Sequence, residues 1–359
     1  MTIFVMTNRI GMKNLIKNAR ILGGLKTREV AQELEIDQSL ISKFENGTRK
    51  PTKEQVAKLA AFLNINYETL MVAWLKEVIL YEIGNDDFAL KAMGMVCEEA
   101  SLQATVERET YINLTVIIQQ IDALKLKLDQ YRQFDSFRIA QALELEYTFE
   151  SNRIEGNTLT LRETDLVVNE GLTISGKSMR EHLEAINHKD AIDYIKFLID
   201  KNTNISEREV LLVHNLVLRG IIPQDAGRYR KVQVMIKGSA FLPPQPFLVA
   251  KEMEDLYIWY ETSKNKLHPV ILAAEMHERL VTIHPFIDGN GRTSRLIMNL
   301  ILLQHGYVIA NIKGDYDSRV QYYQALEVAQ TQNKKDDFLM FVAQNEKQSL
   351  ERYLTIIGQ

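Results

Sequence analysis

The sequence predicts a mostly α-helical protein: a small helical bundle, then a helical connector, then a larger helical body interrupted by one β-hairpin. Three observations lead there. Short segments with polar starts and apolar three- and four-residue spacing crowd residues 12–75. The same spacing continues through Leu114, Ile117, Ile121, Leu124, Leu128 and Tyr131, and through the apolar run Leu296 to Leu303. The clearest period-two alternation is Val232, Val234 and Ile236, with Lys237-Gly238-Ser239-Ala240 supplying a turn after it.

Composition narrows the class. A length of 359 residues suits two or three domains, and 46% hydrophobic residues are ample for a buried core. One cysteine, Cys97, excludes an internal disulfide framework and suits a reducing cytoplasm. The apolar stretch Met1–Met6 is too short for a signal peptide, and no apolar run reaches 18 residues. The expectation is therefore a cytoplasmic chain with no membrane partner. Net charge is −4, but residues 1–75 hold 11 Lys and Arg against 7 Asp and Glu, which leaves −8 for the rest. A basic head on an acidic body fits a chain that meets nucleic-acid phosphate at one end only.

In the head, Thr27 is placed as the N-cap of a helix over Thr27–Leu34, and a turn through Glu35-Ile36-Asp37 leads into Gln38–Gly47. Val30, Leu34, Ile36, Ile41 and Phe44 would form a small core. After Pro51 a further helix would bury Val56, Leu59, Ala60 and Leu63. The turn and the pattern Ser39-x-Ile-Ser-Lys-x-Glu-x-Gly47 resemble the lambda-repressor-like helix-turn-helix family across residues 9–76. That resemblance implies a DNA partner, with Gln38, Ser39, Ser42 and Lys43 facing the major groove or its flanking phosphates. Arg28 stands where the family usually has Gln, which alters a phosphate contact. A helix-turn-helix fold used only for protein contacts is the competing reading.

Residues 77–134 read as the helical connector. Their apolar stripe would either pair two chains as a coiled coil, making a homodimer, or pack on the protein's own helices. At about two and a half heptads the run is short for a coiled coil.

The body, residues 135–347, carries the chemistry. His284-Pro-Phe-Ile-Asp-Gly-Asn-Gly-Arg-Thr-Ser-Arg295 puts a general base, an acid, two glycines and two arginines into one tight loop between helices. The glycines let the backbone turn and aim N–H groups of the next helix at an anion. Asn290 can donate to a phosphate oxygen, and Arg292 and Arg295 can fork onto others. Singly each residue has an ordinary use as a cap, a turn or a solvated charge; converging on one point, they do not.

This string is similar, at every defining position, to the motif His-x-Phe-x-Asp/Glu-Gly-Asn-Gly-Arg-x-x-Arg of the Fic-domain family, whose members mostly transfer AMP from ATP to a hydroxyl side chain of a target protein. The resemblance implies ATP and Mg²⁺. It makes His284 the base, Asp288 the metal ligand, and Gly289, Asn290, Gly291, Arg292 and Arg295 the phosphate holders, with Arg295 at the γ-phosphate and Phe286 anchoring the loop.

Ser151-Asn-Arg-Ile-Glu155-Gly156 resembles the inhibitory helix of autoregulated Fic proteins. Glu155 would then pair with Arg295 where the γ-phosphate belongs. The plain alternative is a helix end with Gly156 as its left-handed cap. The alternating segment, including Val234, Ile236, Lys237 and Gly238, corresponds to the flap whose strand edge pairs with the target, or else is a decorative edge. Tyr322 lies where relatives often place an adenine-contacting aromatic, and core packing explains it equally.

The leading expectation is a protein adenylyltransferase held low by Glu155, with a DNA-binding head that regulates transcription. The alternatives are a transcription regulator that uses the Fic fold as a nucleotide sensor, and a Fic enzyme with another nucleotide or a de-AMPylating activity.

Overall fold

Short polar side chains set where the helices begin. In the head, Asp37, Thr52 and Asn66 accept from the N–H groups of Ser39, Gln55 and Thr69, satisfying donors that a helix start leaves free. The computed structural model describes residues 11–84, 87–131 and 137–358. Met1–Met6 lie outside the described residues. The chain divides into two compact units, residues 1–105 and 106–359. The division falls inside the segment read as a connector.

The first unit contains α1 (Met12–Leu22), α2 (Thr27–Glu33), α3 (Gln38–Asn46), α4 (Lys53–Phe62) and α5 (Tyr67–Ile83). Met12, Ile16, Val30, Leu34, Ile41, Phe44, Val56, Leu59 and Leu70 are buried together, and Ile36 packs on them half-buried. Thr27 is not the cap of α2. Lys26 is, its N–H reaching Glu29 at 2.6 Å, while the Thr27 hydroxyl accepts from Gln38 Nε2 at 3.1 Å. A buried pair, Arg20 Nε to Glu45 Oε1 at 2.5 Å and Nη2 to Oε2 at 2.9 Å, ties α1 to α3. Glu45 in the Lys-x-Glu-x-Gly pattern is thus structural.

The second unit takes the end of α6 (Asp87–Tyr131) and then α7 (Phe137–Ile154), α8 (Leu161–Asn169), α9 (Met179–Asp200), α10 (Glu207–Leu218), α11 (Val249–Ser263), α12 (Pro269–Ile283), α13 (Asn290–Gln304), α14 (Tyr316–Gln332) and α15 (Asp336–Ile356). The stripe of α6 resolves in favour of packing: Ile117, Ile121 and Leu128 are buried in this unit's core, with Leu114 and Leu124 against it. At the centre lies α13, buried without a break from Arg292 to Leu302. A helix buried on every side has to be enclosed by others, and α12 pairs with it across the 284–289 loop. No described helix is long and apolar enough to cross a membrane.

The β-hairpin is absent: among the described residues no strand forms, and residues 231–245 are an extended excursion with a turn at Ile236–Ser239. The physical reason is a shortage of cross-strand donors. Pro243 and Pro244 have no N–H to give. Side chains bridge the arms instead, Arg230 donating to the carbonyls of Val232 (3.1 Å) and Pro244 (2.6 Å) and Gln233 to that of Pro243 (3.0 Å).

Candidate active site

The 284–295 loop is built from the inside. Phe286 is fully buried, and the His214 ring of α10 stacks on it with centroids 3.6 Å apart and planes 7° from parallel. His214 Nδ1 accepts from the Gly227 N–H (3.0 Å), so Nε2 carries the proton and donates to the Asp288 carbonyl at 2.9 Å. Burial pushes its pKa down to about 4, which keeps the ring neutral at pH 7 and fixes this tautomer. Asn290 closes the turn: its Oδ1 accepts from Phe286 N–H (3.0 Å) and its Nδ2 donates to Phe286 C=O (2.9 Å). Asn290 thus staples the loop through one of its two amide N–H groups. Gly289, at φ 79°, makes the left-handed entry to that helix, and no side chain caps it.

His284 ends α12 in the left-handed region, φ 49° and ψ 57°, a costly conformation for a residue with a Cβ. Arg230 holds it, donating from Nε to the His284 carbonyl (2.8 Å) and from its N–H to that of Pro285 (2.9 Å). Nδ1 of His284 lies 3.3 Å from the Val281 carbonyl. With the proton there, Nε2 is the acceptor. Burial, with Arg230 nearby, lowers the His284 pKa below its ordinary value. The imidazole is neutral at pH 7 and fit to take a proton.

Charge converges on the head of α13. Arg295, 1% exposed, donates from Nε to Ser151 Oγ (3.1 Å) and from Nη2 to the Ser151 carbonyl (2.9 Å) and Glu155 Oε1 (2.7 Å). Ser151 and Glu155 lie four residues apart, one helical step along the same face, so the motif spacing grips a single guanidinium. The Glu155 carboxylate also lies on Gly291: a Cβ there would stand 2.5 Å from Oε1. A side chain at position 291 would push the Glu155 carboxylate aside. The plain helix-end reading holds as well, since Gly156 takes φ 95° and the Asn157 N–H returns to the Asn152 carbonyl. Arg292 is 2% exposed, with Nη2 on Asp288 Oδ1 at 3.3 Å and Nη1 at ion-pair distance from Glu184, 3.3 Å. Its Nε and Nη1 are buried with no hydrogen-bond acceptor. Buried unpaired donors are costly, and a phosphate oxygen would satisfy them.

Residues 204–302 match the model of the Fic/DOC family, and residues 16–70 match a helix-turn-helix model. A protein adenylyltransferase Fic from Nematostella vectensis is 37% identical over 211 residues, which is 58% of this chain and 48% of that protein. Another from Drosophila grimshawi is 38% identical over 212 residues, 58% of this chain and 42% of its own. Fic-1 of Caenorhabditis elegans, as a solved fragment, is 25% identical with a TM-score of 0.63, covering 92% of this chain and 97% of the fragment.

The chain carries a Fic domain.

It spans about half or less of the length of the curated relatives it matches. Within the Fic domain, Asp288 is held below the usual carboxylate range: burial opposes its charge, but Arg292, the Gly289 N–H and Arg180 outweigh that. The structure does not bring Tyr322 to a ligand-facing surface. It is 1% exposed, its hydroxyl 3.0 Å from His277 Nε2 and 3.4 Å from Arg295 Nη1, so core packing accounts for it. Its neighbour Tyr323 is half-exposed, with its hydroxyl on the Ile154 carbonyl (3.3 Å). In the flap segment Lys237 and Gly238 are exposed and Val234 and Ile236 half-buried. In the helix-turn-helix bundle Arg28, Gln38, Ser39 and Lys43 are exposed and Ser42 is half-buried on the same helix as Lys43.

Sequence reasoning missed His214, Arg230, Arg180 and Glu184. Each acts across more than fifty residues of chain or from another helix, and no local pattern marks it.

Proposed function

We propose that this chain transfers AMP from ATP to a hydroxyl side chain of a target protein, that Glu155 restrains it, and that its N-terminal bundle binds DNA. The observation that carries the reading is the Glu155 carboxylate seated on Gly291 and Arg295 at the uncapped head of α13. A helix N-terminus with two buried arginines is an anion site, and here the protein's own anion fills part of it. The relatives named above are protein adenylyltransferases, which supports the same chemistry for this site.

His284 Nε2, neutral and poised, would take the target's hydroxyl proton as the oxygen attacks the α-phosphorus and the bond to the departing pyrophosphate breaks. The N–H groups of Asn290, Gly291 and Arg292 would donate to phosphate oxygens, Arg292 would offer its Nε and Nη1, which lack hydrogen-bond acceptors, and Arg295 would bind the γ-phosphate once Glu155 leaves. The residues also fit Mg²⁺. That ion is commonly held by one or two carboxylates plus substrate phosphates, and Asp288 is ionised and partly open. Bound there, Mg²⁺ would neutralise phosphate charge. The 231–245 segment, pinned to His284 through Arg230, would seat the target backbone beside the base. For the head, the helix-turn-helix match and the exposed Gln38, Ser39 and Lys43 support a DNA partner.

The test is incubation with ATP labelled at the α or the γ position in a lysate of the source cells. Label from the α position only, on a discrete protein band, supports AMP transfer. Label from the γ position, or none with either even from the Glu155→Gly variant, refutes it.

A further inference from the structure

We infer that Arg180 is a built-in counter-cation for Asp288, which a divalent metal ion must displace, and that Glu184 ties this exchange to the segment bearing Glu155. The inference rests on the metal-binding role proposed for Asp288. Both carboxylate oxygens of Asp288 are engaged. Oδ1 receives the Gly289 N–H at 2.6 Å and Arg292 Nη2 at 3.3 Å, while Oδ2 receives Arg180 Nη2 at 2.6 Å. A metal ion approaching Asp288 meets a guanidinium on the more open oxygen.

Only one of the two arginines can yield. The Arg292 side chain is 2% exposed and enclosed by the fold, whereas that of Arg180 is 53% exposed and stands in the first turn of α9. A displaced Arg180 regains water and retains Glu184 Oε1, which its Nε holds at 3.0 Å. The exchange therefore costs little, as expected of a solvent-screened pair. In the absence of metal the same contact balances the Asp288 charge.

Glu184 is the hub. Besides Arg180 it lies 3.3 Å from Arg292 Nη1, and its Oε2 accepts from Asn157 Nδ2 at 3.0 Å. Asn157 follows Glu155 by two residues and also donates to the Glu181 carbonyl (3.1 Å). A continuous set of contacts thus runs from the Glu155 segment through Glu184 and Arg180 to Asp288. An Arg180 that leaves Asp288 but stays on Glu184 places its charge on that carboxylate alone, which couples metal loading to the hold of Glu184 on Asn157.

The experiment measures ADP binding to the full chain by calorimetry across a series of Mg²⁺ concentrations. ADP needs no γ-phosphate space, so Glu155 does not enter the result. Arg180→Ala and Arg180→Gln should each lower the Mg²⁺ concentration of half-maximal binding, by about two- to fivefold, the range an exposed ion pair supports. Arg180→Lys, which keeps a charge, should stay nearer the wild type. Asp288→Asn should remove the Mg²⁺ dependence. If Asp288→Asn does so while both neutral Arg180 variants, shown folded by thermal melting, keep the wild-type midpoint, the inference about Arg180 is wrong and the metal role of Asp288 stands. If Asp288→Asn keeps the wild-type Mg²⁺ dependence, the metal role fails and the inference falls with it.

Discussion

Replacing Glu155 with glycine removes the anion from the head of α13 and leaves the arginine in place. The structure shows why the arginine survives the change. Arg295 keeps the Ser151 carbonyl, Ser151 Oγ and the Tyr322 hydroxyl as partners, so it remains aimed at the site. Residue 155 lies just beyond the last helical residue, Ile154, so glycine there costs little helix propensity. A hydrogen bond between charged groups contributes about 1.5–3 kcal/mol. The Glu155 side chain is 29% exposed, and screening trims that to about 1–3 kcal/mol. ATP no longer has to displace this contact, so productive binding should strengthen by roughly five- to a hundredfold. The assay is transfer of α-label from ATP, including self-modification, at ATP concentrations below saturation. Arg295→Ala should not restore activity, because it deletes the γ-phosphate ligand together with the restraint, and the double variant should behave like Arg295→Ala alone. If Glu155→Gly is no more active than wild type on any substrate, itself included, the restraint does not exist and Glu155 merely ends a helix.

Four further outcomes are expected. His284→Ala should abolish transfer while calorimetry still detects nucleotide binding. In the wild type, the rate should hold as pH falls to about 6.5 and drop only below it, because the His284 pKa is lowered; a midpoint above 6.5 would contradict the neutral-base role. His214 is neutral in the fold with a pKa of about 4 and near 6.5 when unfolded. The unfolded chain therefore binds the extra proton between pH 6.5 and 4, and His214 should cost about 3 kcal/mol of stability as pH falls through that window. Denaturant titrations of His214→Gln should show a flatter dependence there, and an unchanged slope would remove His214 as its source. Lys43→Ala should weaken binding to DNA upstream of the protein's own gene, by roughly 1–3 kcal/mol if it reads a base edge, and wild-type affinity should fall with salt; salt-independent binding would make the head a protein-contact module.

The sequence by itself determined what local spacing can encode. Helix starts at Asp37, Thr52, Thr160 and Ser178 follow from side chains that reach N–H groups two or three residues on. The 284–295 loop is equally local, since its glycines, Phe286 and arginines lie within one turn and its flanking helices. Ser151 and Glu155 share a face by helical period alone, yet nothing in the sequence says what that face meets. The tertiary structure decided that it meets Arg295, 140 residues away. Packing also decided three further points. Asn290 spends its amide on Phe286 because the buried turn leaves those backbone groups no other partner. Tyr322 turns inward because His277 and Arg295 offer its hydroxyl partners inside the core. The alternating segment at 231–245 fails to become a hairpin because its return arm carries two adjacent prolines, and Arg230, fixed by the loop it also supports, supplies bridging bonds. His214, Arg180 and Glu184 are legible only in three dimensions, because they act through contacts between helices and a side chain's distant neighbours leave no mark on its own stretch of sequence.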